Sequence, residues 1–267
     1  MGLREILEPL IEGPLAPWAK IPVERMFLGL QFSFARLSTG HVGIAFLPRE
    51  EAVPVKHSLY GERPTLRTLV RYADDSVSAR SLALSGIAAA TNAWIESTPE
   101  PGIQVQRKPL HELVNLNKGD SVLIVGYMKP VVREFLAAGG KVIVAEKNRT
   151  MRLLGSEEEE KVVFVDEYEA LDVASRVDIL IVTGSSLLYP QLLVRLLKEA
   201  SSAKCRALIG PTASLHPKIM DILGLDLLGG SYIHRSVSHI IERMVELGWG
   251  YHSFRDHLVK WVVKREA

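Results

Sequence analysis

The sequence predicts an α/β protein in which a doubly wound parallel sheet follows a smaller α+β domain. In residues 122–148 an apolar run, a glycine, a helical stretch, a glycine pair and a second apolar run follow one another. That order is typical of a strand–helix–strand unit. Strand-like and helical segments keep alternating to about residue 228, which favours a parallel sheet. Before residue 113 the order differs, because strand-like stretches come before two helices.

Residues 1–112 are predicted to form the smaller domain. Apolar spacing predicts a helix over residues 3–12, which ends at Gly13 and Pro14. Residues 23–37 predict one long strand, and residues 41–47 predict a strand that returns beside it as a hairpin. Helices are predicted at about 65–73 and 77–96. A connector rich in proline and glycine begins at Pro99, and we place the domain boundary at its end.

The helix predicted at 77–96 carries a run of small residues around Gly86 and Ala88 that would let another backbone approach closely. Asn92 lies at the edge of its apolar face. Buried amides need hydrogen-bond partners. Asn92 is therefore either a structural hydrogen-bonding group or a ligand contact.

Residues 113–267 are predicted to form the larger domain. After the first strand–helix–strand unit, further strands are predicted at 162–165, 179–182, 207–209 and about 225–228. Helices at about 167–174, 187–199 and 215–223 separate them. Parallel neighbours need such crossovers, which are right-handed in nearly all proteins.

Composition narrows the function classes. The chain has 267 residues, enough for two hydrophobic cores, and its 32 basic and 31 acidic residues leave a net charge of +1. That balance gives no field that would attract nucleic acid or a membrane surface. No apolar run approaches the roughly 20 residues that span a bilayer, so we expect a cytoplasmic protein. The single cysteine, Cys205, excludes an internal disulfide and a CxxC metal site.

Glycine and polar residues follow each predicted parallel strand. Ligands of open α/β sheets bind outside the carboxyl ends of the strands, so these residues predict a small-molecule site. The candidates are Gly126, Tyr127, Glu146, Asp166, Thr183, Gly184, Ser185, Gly210, Pro211 and Thr212.

The loop that begins at Gly126 lacks the second and third glycines of a GxGxxG dinucleotide loop. We therefore expect neither NAD nor FAD bound in the usual way. A nucleoside without a diphosphate fits better, with Glu146 on the ribose and Asp166 near the base. An S-adenosylmethionine-dependent transferase is accordingly one alternative function.

The eight histidines show no HxH or HExxH spacing. His216 is a candidate metal ligand because it follows the strand end at Gly210, and the competing interpretation is an exposed histidine ahead of Pro217. A non-catalytic metal-binding module is thus a second alternative. No GxSxG motif is present, so a hydrolase triad is not predicted.

Four segments, in this order, resemble the motifs of one family. They are SLALSGIAAATNA (81–93), SVLIVGYMKP (121–130), VDILIVTGSSLLYPQLLVRLL (177–197) and CRALIGPTASLHPKIMDILGLDLLGGSYI (205–233). The chain is similar over nearly its whole length to the family called "putative heavy-metal chelation", which joins an enolase N-terminal-like domain to a Rossmann-like domain.

The resemblance implies a site between the two domains that acts in the condensation or hydrolysis of pterin-, flavin- or siderophore-like molecules and in metal handling. Position by position, it implies Asn92, Gly126, Thr183, Gly184, Gly210, Pro211 and Thr212. The family commonly has an asparagine after the Thr-Gly segment where this chain has Tyr189 and Pro190. Soft metals prefer thiolate or imidazole clusters, which the sequence lacks. We therefore expect any heavy metal to be held through a chelating organic ligand. A homo-oligomer is left open.

Overall fold

Two β-sheets form the frame of the protein. The computed structural model describes residues 1–56, 63–158 and 161–265, so His57 lies outside the described residues. The smaller sheet is antiparallel and contains β1 (Val23–Leu28), β2 (Phe32–Leu37) and β3 (Val42–Phe46). The larger sheet contains β4 (Gln104–Val105), β5 (Ser121–Val125), β6 (Lys141–Ala145), β7 (Val163–Val165), β8 (Ile179–Thr183), β9 (Cys205–Ile209), β10 (Leu227–Tyr232) and β11 (Val259–Lys264).

Helices cover both sheets. In chain order they are α1 (Leu3–Glu12), α2 (Leu66–Arg71), α3 (Val77–Ser97), α4 (Leu110–Leu113), α5 (Lys129–Ala137), α6 (Arg149–Glu158), α7 (Glu169–Ala174), α8 (Pro190–Glu199), α9 (Ile219–Leu223), α10 (Ser238–Glu246) and α11 (Tyr251–Phe254). None of the helices in these described ranges combines the length and the apolar character that a bilayer crossing requires.

The large sheet is doubly wound. Its strand order is β4-β11-β10-β9-β8-β5-β6-β7, and β5 to β10 run parallel, whereas β11 and β4 are antiparallel additions. The chain begins this parallel sheet at β5, builds outward to β7, and returns to add β8 on the other side of β5. The order therefore reverses between β5 and β8. This arrangement confirms the predicted α/β class with a smaller antiparallel sheet in front.

Both faces of the parallel sheet are buried, as its near-continuous apolar strands require. On one face Leu123 belongs to the core that includes α7 and α8. On the other, Val122 and Ile124 pack with Val132 and Phe135 of α5. The apolar strands thus supply side chains to two separate cores.

The small sheet, α1, α2 and α3 form what we call the small lobe. Helix α3 lies directly on β3: a Cβ at Gly43 would lie 2.2 Å from the carbonyl oxygen of Ser85 and 2.4 Å from the backbone nitrogen of Ala89. This contact confirms the close backbone approach predicted from the small residues of α3. The side chain of Ser76 caps the helix by accepting a hydrogen bond from the N–H of Ala79, at 3.1 Å.

The prediction of one strand over residues 23–37 was wrong, because the chain turns back after Leu28 and forms β1 and β2. The N–H of Gly29 donates to the carbonyl oxygen of Phe32 across this turn, at 2.8 Å. A Cβ at Gly29 would lie 2.5 Å from the carbonyl oxygen of Val245 at the end of α10. Packing against a distant helix, which the local pattern does not encode, thus fixes this turn.

The C-terminal helices cross back to the small lobe. Ile241 and Val245 of α10 and Phe254 of α11 share a core with Phe32 and Phe34 of the small sheet. Strand β4, which precedes residue 112, pairs with β11 in the large sheet. The domain division at residue 112 stays a prediction. The large sheet takes strands from both sides of it, and α10 and α11, which follow it, pack on the small sheet.

Candidate functional site

The ends of β5 and β8 lie side by side where the strand order reverses. Gly126 follows β5 with φ +88°, and a Cβ there would lie 2.5 Å from Cγ2 of Thr183. Oγ1 of Thr183 lies 3.9 Å from the place of a Cβ at Gly210, and it accepts a long hydrogen bond from the hydroxyl of Ser185, at 3.4 Å. Four of the predicted site residues, from three strand ends, therefore meet around the Thr183 side chain.

The loops after β8 and β9 pack against each other and against the small lobe. A Cβ at Gly184 would lie 2.3 Å from the backbone nitrogen of Ala213, so these loops approach as closely as backbones can. Thr212 is 3% exposed, and its Oγ1 accepts a hydrogen bond from the N–H of Phe46 at the end of β3, at 2.9 Å. Thr212 thus joins the large sheet to the small one.

Glu146 connects the loops after β5 and β6. Its Oε2 accepts from the N–H of Tyr127 and its Oε1 from the N–H of Asn148, both at 2.8 Å. The ring of Tyr127 packs edge-on against Phe164, with ring centroids 5.5 Å apart. A ribose at Glu146 would have to compete with two backbone hydrogen bonds, so the ribose role stays a prediction that this geometry does not favour.

Asp166 lies apart from the other candidates. It follows β7, the outermost strand, which is two strand spacings or about 10 Å from β5. Its Oδ1 accepts from the N–H groups of Glu169 and Tyr168, and these bonds lower the pKa of Asp166. The carboxylate therefore caps the start of α7.

A crevice separates the small lobe from the ends of β9 and β10. Asn92, Pro211, Ser214 and Ser231 line it together with apolar side chains, and it has no room for a water molecule. Asn92 is 1% exposed; its Nδ2 donates to the carbonyl oxygen of Val42 at 2.8 Å, whereas its Oδ1 has no partner among the described residues. A buried amide oxygen in this state lacks one hydrogen bond that a ligand could supply.

His216 packs against Trp94, with ring centroids 4.2 Å apart. Its Nδ1 accepts from the N–H of Lys218 at 3.0 Å, and burial lowers the pKa of His216 to about 4. The ring is therefore neutral at pH 7 and supports a local turn. Within residues 1–56, 63–158 and 161–265, no three His, Cys, Asp or Glu side chains converge as metal ligands would. Burial also raises the pKa of the Cys205 thiol to about 11.

A cluster of polar side chains that was not predicted from the sequence lies between the end of β6 and the start of α8. Oε1 of Glu51, from the loop after β3, accepts from Nζ of Lys147 and from the hydroxyl of Tyr189, both at 2.7 Å. Nζ of Lys147 also lies 4.4 Å from the centre of the Tyr189 ring. Lys147 lies just after a predicted strand and Tyr189 near the start of a predicted helix, and these positions could have marked both as candidate site residues. Glu51 lies in a polar loop and gave none.

A second polar group fastens the lobes further along the sheet edge. Glu96, near the end of α3, accepts from the hydroxyl of Tyr232 at the end of β10. It also pairs with Nε2 of His41 at 3.0 Å and with Nε of Arg235 at 2.7 Å. Burial lowers the pKa of His41 more than the contact with Glu96 raises it, and the charge of Arg235 lowers it further. These side chains hydrogen-bond to one another, so we interpret the cluster as a structural contact between the small lobe and the large sheet.

Comparison with known proteins gives the same fold. A protein of unknown function of the DUF364 family from Pyrococcus horikoshii superposes with a TM-score of 0.78 at 18% identity, over 97% of this chain and 100% of that one. A second DUF364 protein of unknown function, from Desulfitobacterium hafniense, gives 0.77 at 19% identity, over 98% and 99%. At these identities the likeness shows the fold alone. No curated protein sequence matches the chain significantly.

Two family profiles, DUF364 and DUF4213, carry the description "Putative heavy-metal chelation". The first matches residues 109–264 and the second residues 15–95. Together they cover the parallel sheet and most of the small lobe. The chain belongs to the family that bears this description.

Proposed function

We propose that the protein binds a small, oxygen-rich, metal-chelating molecule where the small lobe meets the carboxyl ends of the parallel strands. The observation that carries the proposal is the reversal of strand order between β5 and β8, with Gly126, Thr183 and Gly210 gathered around it. Doubly wound sheets bind their ligands at this point. In keeping with the family, the ligand would be of the pterin, flavin or siderophore kind, either held as a chelator or processed by condensation or hydrolysis.

An organic chelator fits the described residues better than a bare metal ion. No cluster of three metal-ligating side chains occurs in the described ranges, whereas hydroxyl, amide and ammonium groups do occur at the sheet edge. Such groups form hydrogen bonds to ring oxygens and nitrogens. Neither a transferase nor a metal-binding module gains support from this arrangement.

Binding requires the lobes to part. Ligand pockets usually enclose about 300–1,000 Å³, whereas the crevice beside Asn92 has no room even for a water molecule. The contacts at Thr212 and Glu51 both cross from one lobe to the other. A ring-sized ligand would therefore enter only as the small lobe moves.

Fluorescence titration with a pterin, with flavin mononucleotide and with 2,3-dihydroxybenzoate, each with and without Fe³⁺, tests the proposal. Thr183→Val keeps the shape of the side chain and removes its hydroxyl. It should therefore reduce the affinity for the tightest-binding probe about tenfold, which corresponds to the loss of one hydrogen bond of ~1.4 kcal/mol. Thr98→Val, at the far end of α3, is the matched control. Equal binding by the wild type and Thr183→Val would refute the proposal, as would the absence of binding of every probe to both the wild type and variants of Glu51.

A further inference from the structure

The group formed by Glu51, Lys147, Tyr189 and Arg80 differs from an ordinary surface ion pair in where its members come from. Lys147 follows β6 of the large sheet, and Tyr189 lies immediately before α8, which packs on that sheet. Glu51 and Arg80 come from the small lobe, and Nη1 of Arg80 donates to the carbonyl oxygen of Leu188 at 3.0 Å. One carboxylate oxygen of the small lobe therefore accepts two hydrogen bonds from the ligand-binding edge of the sheet.

The charge balance favours an anionic oxygen at this position. Burial opposes the ionisation of Glu51, but the hydrogen bonds from Lys147 and Tyr189 outweigh it, and the positive charge of Arg80 adds to them, so the pKa of Glu51 is lowered. Burial and the Glu51 carboxylate raise the pKa of Tyr189, which keeps its proton available for donation. An ammonium and a phenol thus both point at a single anionic oxygen.

Breaking the ion pair between Glu51 and Lys147 also costs little free energy. The side chains of Lys147 and Glu51 are 53% and 33% exposed, and exposed ion pairs contribute only about 0–1 kcal/mol. An incoming anion that keeps the same two donors occupied would replace Glu51 at little net cost. It would also release one of the contacts that hold the lobes together.

We propose that Glu51 occupies the place of an anionic oxygen of the ligand, and that the ligand displaces it from Lys147 and Tyr189. The inference rests on the proposed function and specifies its ligand class: a small molecule that carries a carboxylate or another ionised oxygen. Glu51 then acts as an internal competitor that keeps the lobes closed until such a ligand arrives.

The test compares 2,3-dihydroxybenzoate with its neutral analogue 2,3-dihydroxybenzamide by fluorescence titration. Glu51→Gln should bind the benzoate up to about fivefold more tightly than the wild type does, the equivalent of ~1 kcal/mol, and should change binding of the benzamide less. Lys147→Met should lose the preference for the benzoate. Lys141→Met, at the opposite end of the same strand β6, should keep it. Glu51→Ala repeats the first comparison without a hydrogen-bonding amide, and thermal unfolding checks that each variant is folded.

The outcomes separate this inference from the proposed function. If the wild type binds a probe in a manner that depends on Thr183, and Glu51→Gln binds the benzoate no more tightly, the Glu51 inference is overturned and the proposed function stands. If only the Glu51 variants bind the benzoate, the internal competitor is supported, because its removal makes binding at the site detectable. Absence of binding by every variant overturns both.

Discussion

Replacing Thr212 with valine tests whether the two sheets are joined as described. β3 is an edge strand, and the N–H of Phe46 points away from β2 to the hydroxyl of Thr212 at 2.9 Å. Valine keeps the branched shape and removes the only hydrogen-bond acceptor of the side chain. Leaving a mostly buried donor unpaired costs about 1–3 kcal/mol. Because Thr212 is 3% exposed, water cannot easily take its place.

Thermal unfolding of the wild type, Thr212→Val and Thr212→Ser measures this cost. With about 2–4 °C of Tm per kcal/mol for a protein of this size, Thr212→Val should lower Tm by about 4–8 °C at a midrange cost of ~2 kcal/mol. Thr212→Ser keeps the hydroxyl and removes only one methyl group, so its Tm should fall less than that of Thr212→Val. A Thr212→Val protein as stable as the wild type, or less affected than Thr212→Ser, would show that this hydrogen bond does not hold the lobes together.

Two further substitutions test the contact between the loops after β8 and β9 and the pKa of the half-buried His216. Gly184→Ala would place a Cβ 2.3 Å from the backbone nitrogen of Ala213. We therefore expect the free energy of unfolding, measured in urea, to fall by several kcal/mol. A fall of less than ~1 kcal/mol would mean that the two loops can separate freely. His216 has a folded pKa of about 4, below its ordinary value of 6.5, so its contribution to stability is complete above pH 6.5 and is lost as the pH falls toward 4. Because the ring is only half-buried and solvent screens part of this effect, the free energy of unfolding should drop by about 1 kcal/mol more in the wild type than in His216→Phe between pH 7 and pH 4. Parallel pH profiles would contradict the lowered pKa of this ring.

Strong local patterns made most elements predictable. The bounds of α1 and α3 agree with the sequence within a residue or two, because apolar spacing and caps such as Ser76 are local signals. The parallel strands were predictable for the same reason, since their apolar runs are bounded by glycine and polar residues. The turn at Gly29 was not, because it depends on contact with α10, more than 200 residues later in the chain.

The candidate site was predictable only in part. Strand ends must share one edge of a parallel sheet, so the meeting of Gly126, Thr183 and Gly210 follows once the strands are recognised. The sequence does not say which strands are neighbours. Asp166 was therefore grouped with the other candidates, although it follows the outermost strand, β7, and lies away from them. Glu51 was missed because a carboxylate in a polar loop looks like any solvated charge until its partners are known.

Taken alone, the sequence determined the α/β class, the strand–helix alternation, the resemblance to a family and the glycines that mark the sheet edge, because each depends on neighbouring residues or on motif order. Tertiary structure decided the strand order, the return of α10 and α11 to the small lobe, and the partners of Glu51, Thr212 and Asn92. These features depend on contacts between residues far apart in the chain, and such contacts are fixed by packing and hydrogen bonding in the folded protein rather than by local pattern.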